Sequence, residues 1–151
     1  MANAAGTLAA KIGRGLVAGA VGTAAMTVSS TLEQKLRGRE PSTAPADAAM
    51  KVLGIASFRD DAAKSRFSNV VHWTYGSAWG VPRALLDAAG LSPAAATAAH
   101  GAALWGSEQV MLPLLGVAPP LWTWGVTEVA IDAIHHVVYT LATSVAYEAL
   151  G

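Results

Sequence analysis

The sequence predicts an all-α, integral membrane four-helix bundle, with a short amphipathic helix at the membrane surface between the first and second spans. Of the 151 residues, 53% are hydrophobic and 13% are charged, about half the roughly 25% of charged residues in ordinary soluble domains. Most of the charges lie between Glu33 and Arg66, and long uncharged stretches flank that segment. No alternating pattern typical of strands competes with the helical prediction.

The uncharged stretches predict four membrane spans. A spanning helix needs about 20 apolar residues, and residues 15–32 and 67–82 contain no charge. Beyond them, Glu108 is the only charged residue of the segment 88–127. Proline removes a backbone donor and ends helices, and two spans flank a junction that contains Pro113, Gly116, Pro119 and Pro120. The predicted spans are residues 14–33, 67–88, 94–115 and 121–149.

The charged loop, residues 34–66, is predicted to contain the surface helix. Helical spacing relates Ala46, Ala49, Met50 and Leu53, and the preceding Ser42, Thr43 and Pro45 are helix-start signals. Seven of the ten basic residues lie between Glu33 and Arg66, so the positive-inside rule places this loop in the cytoplasm and both termini outside. We interpret residues 1–151 as one transmembrane domain.

Two alternatives compete with the membrane prediction. One is a soluble, alanine-rich helical bundle, because the first span consists mostly of Ala, Gly and Val. The other is a signal peptide formed by Lys11, Arg14 and the apolar run that follows, although no clear small-residue cleavage site precedes Glu33. The length and continuity of the apolar runs favour spans. We therefore expect a multi-pass protein of the inner, cytoplasmic membrane, with the lipid bilayer as its surroundings.

The first span has a face of small residues. Gly15, Gly19 and Gly22 are four and three residues apart, so they lie on one side of a helix. Helices in lipid approach each other closely through such faces. Packing against another span of the same chain is the favoured interpretation, and a homo-oligomer interface is the alternative.

The fourth span has a stripe of titratable side chains. The spacing of four, three and four residues places them on one face of the helix: Glu128, Asp132, His135 and Tyr139. A carboxylate at the bilayer centre costs about 2.5–3.5 kcal/mol even on the lenient insertion scale. The stripe is therefore expected to face the bundle interior, where it can meet polar residues of other spans, namely His72, His100 and Glu108.

Three interpretations of these seven residues remain open. Neighbouring acids and imidazoles can relay protons or line a path for a small polar solute. They can also bind haem or a divalent metal, although no cofactor is predicted and the metal ligands are unknown. His135 and His136 point about 100° apart, so we do not expect them to share one ion. In the third interpretation the polar groups satisfy one another and determine helix packing, as in a membrane scaffold that binds another membrane protein.

Composition and motifs exclude several functions. The net charge of +0 provides no basic stripe for nucleic acid, and the absence of cysteine excludes thiolate sites. No phosphate-binding loop, nucleophile elbow or dinucleotide fingerprint is present, so no catalytic residue is predicted and an enzyme is not expected. Arg83, near the end of the second span, is expected to extend its guanidinium to the membrane surface.

The junction between the last two spans reads Pro113-Leu114-Leu115-Gly116-Val117-Ala118-Pro119-Pro120. Here the chain resembles the YagU-like family of small inner-membrane proteins, which has a comparable P-L-x-G-x-x-P-P junction. The resemblance extends to the glycines of the first span, to His72 in the second, and to Glu128 with His135 in the last. It implies a membrane location and an association with acid tolerance, and it transfers no catalytic residues.

Overall fold

The computed structural model describes residues 2–151, with side chains from residue 5 onward. This part of the chain is all-α: the fold is 81% helical and contains no strand. The helices are α1 (Ala2–Arg37), α2 (Ala44–Leu53), α3 (Asp61–Ala78), α4 (Gly80–Ala88), α5 (Pro93–Leu114) and α6 (Val126–Ala149), with a 3-10 turn at Leu121–Thr123.

Helix α1 is longer than the predicted span of residues 14–33. It begins at Ala2 because its first turns are rich in alanine, the strongest helix former. Its 36 residues extend for about 54 Å, well beyond the roughly 30 Å of a bilayer's hydrocarbon core. It ends before Gly38, whose φ of +64° is left-handed. The short helix predicted in the charged loop forms as α2 and ends at Gly54, also left-handed.

The second predicted span, residues 67–88, is not one helix. Helix α3 starts earlier, because the Asp60 carboxylate accepts a hydrogen bond from the backbone N–H of Ala63 at 2.7 Å and caps the helix. This bond and the neighbouring Arg59 hold the pKa of the Asp60 carboxyl below its ordinary value. The helix breaks at Trp79, three residues before Pro82. Proline has no N–H to donate to the fourth preceding carbonyl, which interrupts the helical ladder here.

Helix α5 agrees with the predicted span 94–115, and α6 begins later than predicted. Ser92 and Pro93 start α5, and Gly116, with φ +64°, ends it. Residues 121–125 follow two prolines and form only a 3-10 turn and two extended residues before α6. The prediction that the last helix starts at residue 121 is therefore wrong, and Glu128 lies in the first turn of α6.

Four helical segments pack side by side: α1, α3 with α4, α5, and α6. Thr27 contacts His72 and Gly15 contacts Gly80, so α1 runs antiparallel to α3 and α4. The pairs Ser29–His135 and Arg14–Tyr147 show that α6 is antiparallel to α1. The pairs Thr97–Ser144 and Glu108–His136 show the same for α5 and α6. Consecutive segments therefore alternate in direction.

The small-residue face of α1 packs within the chain. A methyl group added at Gly15 or Gly19 would overlap the backbone of Gly80 or of Ser77. At Gly22 it would overlap the Thr143 side chain of α6. The three glycines therefore allow α1 to approach the α3–α4 break and α6 at backbone distance.

Within the described residues, two helices are long and apolar enough to cross a membrane: the segment Ala5–Arg37 of α1, and α6. The 24 residues of α6 extend for about 36 Å, comparable to the hydrocarbon core of a bilayer. Only about a third of the apolar window in each helix is buried inside the molecule.

Among the residues whose side chains the structure describes, polar groups are buried in the interior and many large aliphatic side chains are exposed. Eight buried residues are polar or charged, including the fully buried Arg83 and His100, whereas five of the eight buried hydrophobic residues are alanine. Large aliphatic side chains lie outside, where Val17, Val28 and Val145 are each more than half exposed. Water-soluble proteins bury such side chains, since full burial of each contributes about 1.5–3 kcal/mol.

Candidate functional site

Helix α6 has a polar face that is buried and an apolar face that is exposed. The buried residues of this helix are His135, His136, Tyr139, Thr140, Thr143, Ser144 and Tyr147. On the opposite face, Ile134, Val137, Leu141 and Val145 follow one another at helical spacing and are 53–69% exposed. The candidate site is the buried polar face, which contacts α1, α4 and α5.

The acid–imidazole group consists of Glu108, Asp132 and His136. His136 Nε2 lies 2.8 Å from Oε2 of Glu108 on α5, and Nδ1 lies 2.8 Å from the backbone carbonyl oxygen of Asp132. The Asp132 carboxylate accepts a hydrogen bond from the Trp105 indole N–H at 2.7 Å and a longer one from Gln109 at 3.5 Å. Five polar residues of α5 and α6 thus meet at one position.

His135 faces α1 instead of α5. Its Nδ1 forms a hydrogen bond with the Ser29 hydroxyl at 2.8 Å, and its Nε2 lies 3.7 Å from Oε2 of Glu33. Glu33 also forms ion pairs with Arg37 and Arg39 at the end of α1. His135 therefore lies between the charged end of the molecule and its interior.

Glu128 lies outside the interior. It is half exposed and forms an ion pair with Arg37 of α1. The expectation that it faces the bundle interior with Asp132 does not hold, because α6 starts only at Val126. A carboxylate in the first turn of a helix is instead favoured by the helix dipole.

Three of the predicted site residues bind separate partners near the α3–α4 break. The hydroxyl of Tyr139 donates to the carbonyl of Gly76 at 2.6 Å, and Nε2–H of His100 donates to the carbonyl of Trp79 at 2.8 Å. His72 forms a hydrogen bond with the Thr27 hydroxyl at 2.8 Å. Tyr139 and His100 thus supply donors to carbonyls near the break.

The end of α6 contacts a charged group on α1 and α4. The guanidinium groups of Arg14 and Arg83 both contact the Tyr147 ring, with Cζ atoms 3.7 and 4.7 Å from its centroid. Its hydroxyl donates to Asp87 at 2.9 Å, and Lys11 also pairs with Asp87. The contacts of the Tyr147 ring with the two guanidinium groups, and of its hydroxyl with Asp87, hold α6 against the first half of α1.

The expectation that Arg83 reaches the surface is wrong. The residue is fully buried, donates from Nε to the Ser144 hydroxyl at 3.3 Å and forms an ion pair with Glu148. Arg83 lies in α4, one turn after the break at Trp79, and its side chain faces α6.

The seven predicted site residues divide among several contacts. Glu108 and Asp132 come together through His136, whereas His135, Tyr139, His72 and His100 each bind a different hydroxyl or carbonyl, and Glu128 lies at the end. In residues 2–151, no three His, Asp or Glu side chains are arranged to hold a metal ion.

The sequence interpretation missed His136, Glu33 and Arg83 as site residues. For His136 a signal existed, since it follows Asp132 by four residues and therefore shares its face of the helix. Glu33 and Arg37 have the same spacing within α1.

A groove of about 400 Å³ separates parts of α5 and α6 beside the acid–imidazole group. Small residues line it, namely Ala98, Gly101, Ala102 and Ala133, and His136 and Trp105 are also among its lining residues. Polar bonds such as Glu108–His136 and Trp105–Asp132 join the two helices, and open space remains beside them.

Comparison of the chain with protein families, with curated proteins and with solved structures finds no match in any of the three. Its function is therefore inferred from the geometry of its own residues.

Proposed function

We propose that the chain is a multi-pass protein of the inner, cytoplasmic membrane, in which α1, α3 with α4, α5 and α6 are the four spans and α2 lies at the membrane surface. We further propose that it belongs to the YagU-like family, whose junction it resembles. Its polar interior handles protons or a small polar solute.

The observation that carries the membrane proposal is the two-faced character of α6. Ile134, Val137, Leu141 and Val145 are unfavourable in water but suited to lipid, whereas the polar face is covered by the other helices. In membrane proteins, polar and ionisable side chains face the bundle interior in this way. The alternative of a soluble bundle does not explain why these four aliphatic side chains, the exposed ridge of α6, are exposed.

The succession of polar groups along α6 supports the proton or solute proposal. From Asp132 to Tyr147, titratable or hydroxyl side chains recur at every turn of the buried face, over about 22 Å of helix. Acids, imidazoles and hydroxyls at this spacing can pass protons from one to the next.

The absence of cysteine allows a direct test of the membrane placement. A single cysteine at Leu141, on the exposed ridge of α6, is compared with one at Ser57, in the exposed loop before α3. In intact vesicles, a charged maleimide is expected to label Leu141→Cys at least tenfold more slowly than Ser57→Cys. Equal labelling rates in intact vesicles would contradict the membrane placement, and equal rates after unfolding are the control.

Proton flux into liposomes tests the activity. The purified protein is expected to collapse an imposed pH gradient faster than empty liposomes, and His135→Gln is expected to slow it. Glutamine retains a hydrogen bond to Ser29 but cannot bind a proton near neutral pH. Glu40→Gln, which changes an exposed loop carboxylate, is the matched control. No flux from the unmodified protein would reject the proton proposal.

A second candidate function is a non-catalytic scaffold or assembly partner. It is favoured by the local pairing of the polar groups, such as Thr27 with His72 and Tyr139 with Gly76, which determines how helices align. In that case His135→Gln lowers the stability or the co-purification of a membrane partner and leaves no flux to change. A crosslinking survey that finds no partner would count against this function.

A further inference from the structure

The hydrogen bonds of His136 determine where its protons are. Its Nδ1 is 2.8 Å from the backbone carbonyl oxygen of Asp132. A carbonyl oxygen can only accept a hydrogen bond, so Nδ1 must carry a hydrogen. The ring has one other nitrogen, Nε2, which is 2.8 Å from Oε2 of Glu108. The residue is 5% exposed, so water does not replace either partner.

The contact between Nε2 and Glu108 needs one more proton. Either His136 is an imidazolium that donates to the Glu108 carboxylate, or a protonated Glu108 donates to the Nε2 lone pair of a neutral ring. Without this proton, a lone pair would face a carboxylate oxygen at hydrogen-bond distance, and both groups are acceptors. In both allowed forms the pair of side chains binds one proton and has no net charge.

The surroundings of the pair favour retention of the proton. On α6, the Asp132 carboxylate accepts a hydrogen bond from the Trp105 N–H, and its Oδ2 lies 3.7 Å from Nδ1 of His136. From α3, Tyr75 lies within electrostatic range of Glu108. In the described part of the chain, neither Glu108 nor Asp132 forms an ion pair with a lysine or arginine.

The other charged groups lie on the far side of α6. His135, which directly precedes His136 in α6, faces Ser29 and Glu33 of α1. The charges of Glu33 are matched by Arg37 and Arg39. In the described part of the chain, His136 is therefore the basic side chain that contacts both Glu108 and Asp132.

We infer that Glu108 and His136 form a buried proton-binding site, whose ligand is a single H⁺. This inference rests on the proposed function in one respect. If the interior handles protons or a small polar solute, a site that binds H⁺ implies that the species is the proton. On release, the N–H or O–H bond of the shared proton breaks and the proton leaves to water. A Glu108 carboxylate and a neutral ring protonated at Nδ1 remain, with no change of redox state.

Nitrogen-15 NMR of histidine-labelled protein in lipid tests the site without a flux measurement. The His136 signals are assigned by their loss in His136→Gln. In the unmodified protein at neutral pH, we expect both ring nitrogens to report bound or shared protons. In Glu108→Gln, the amide NH₂ can still donate to Nε2, and we expect a neutral ring protonated at Nδ1 only. Glu40→Gln should leave the His136 signals unchanged.

The results separate the site from the proposed function. A His136 Nε2 in the unmodified protein that shows neither a bound nor a shared proton at neutral pH would overturn the proton-binding site. The measurement on the unmodified protein decides this even if Glu108→Gln fails to fold. In liposomes, Glu108→Gln is expected to reduce proton flux at least tenfold. The predicted NMR signals without any flux from the unmodified protein would support the site and overturn the proposed function.

Discussion

Two interfaces of this molecule join helices by different means. Where α1 meets the α3–α4 break, Gly15 and Gly19 lie against the backbone of Gly80 and Ser77, with no room for a methyl group. Where α5 meets α6, a groove of about 400 Å³ remains open, and the helices are joined by polar bonds such as Glu108–His136. The first interface depends on close packing of glycine backbones, and the second on hydrogen bonds between polar side chains.

The difference bears on which interface can respond to a proton. A backbone-to-backbone contact depends on van der Waals packing and contains no titratable group, so pH does not alter it. The contact between α5 and α6 includes a hydrogen bond that needs a bound proton. Small residues such as Gly101 and Ala133 leave space beside that bond. We therefore expect the close contact at Gly15 and Gly19 to be insensitive to pH and the α5–α6 contact to respond to pH.

The largest effect is expected from a methyl group at the tight interface. Gly19→Ala places its Cβ against backbone atoms of Ser77 and Gly80, and we expect the free energy of unfolding to fall by about 3 kcal/mol. Gly13→Ala on the same helix meets open space and is expected to be neutral or to stabilise by up to about 1 kcal/mol. Thermal unfolding followed by circular dichroism in detergent compares the two. Equal stabilities would show that the backbone contact is not tight.

An intermediate effect is expected from removing a polar bond between α5 and α6. Trp105→Phe deletes the indole N–H that donates to Asp132 at 2.7 Å and keeps most of the aromatic volume. A hydrogen bond to a charged group contributes about 1.5–3 kcal/mol, so we expect a loss of about 2 kcal/mol in the same unfolding assay. Trp122→Phe, at a side chain that is 85% exposed, is the control. An unchanged stability in Trp105→Phe would indicate that polar bonds do not hold this interface.

A smaller effect is expected from a methyl group at the open interface. Gly101→Ala brings its Cβ within 3.1 Å of the Thr140 side chain, not of a backbone atom. A side chain beside open space can move by a few tenths of an ångström, and alanine favours the helix by about 1 kcal/mol over glycine. We expect a change within about 1 kcal/mol of zero. A loss as large as that of Gly19→Ala would show that both interfaces are equally tight.

The smallest effect lies outside both interfaces, at the start of α3. Because the folded pKa of Asp60 is lowered, its contribution to stability is present above the unfolded pKa of about 3.9 and is lost as the pH falls through the folded pKa. Asp60→Asn keeps an N-cap side chain but does not titrate. We expect its unfolding temperature to be slightly below that of the unmodified protein at neutral pH, where Asp60 is charged, and the difference to vanish as the pH falls through the acidic range.

Sequence spacing anticipated the helices better than their ends. The start of α5 at Ser92 and Pro93 and the junction at Pro119 and Pro120 are local signals, so α5 and the last helix were predicted close to their observed places. The break at Trp79 also has a local cause in Pro82. The prediction missed it because residues 67–82 contain no charge and were interpreted as one continuous span. The start of α6 was predicted five residues early. Because of this error the prediction placed Glu128 in the interior, whereas the residue lies at the end of the molecule.

The sequence by itself determined that the chain is helical, where its apolar runs lie, and that one face of the last helix is polar. These properties depend on residues within a few turns of one another. Only the tertiary structure decided which groups pair: His136 with Glu108, 28 residues away, His135 with Ser29, and Arg83 with Ser144. Each pairing depends on the rotation and height of two packed helices, because a shift of one residue turns a side chain by about 100°.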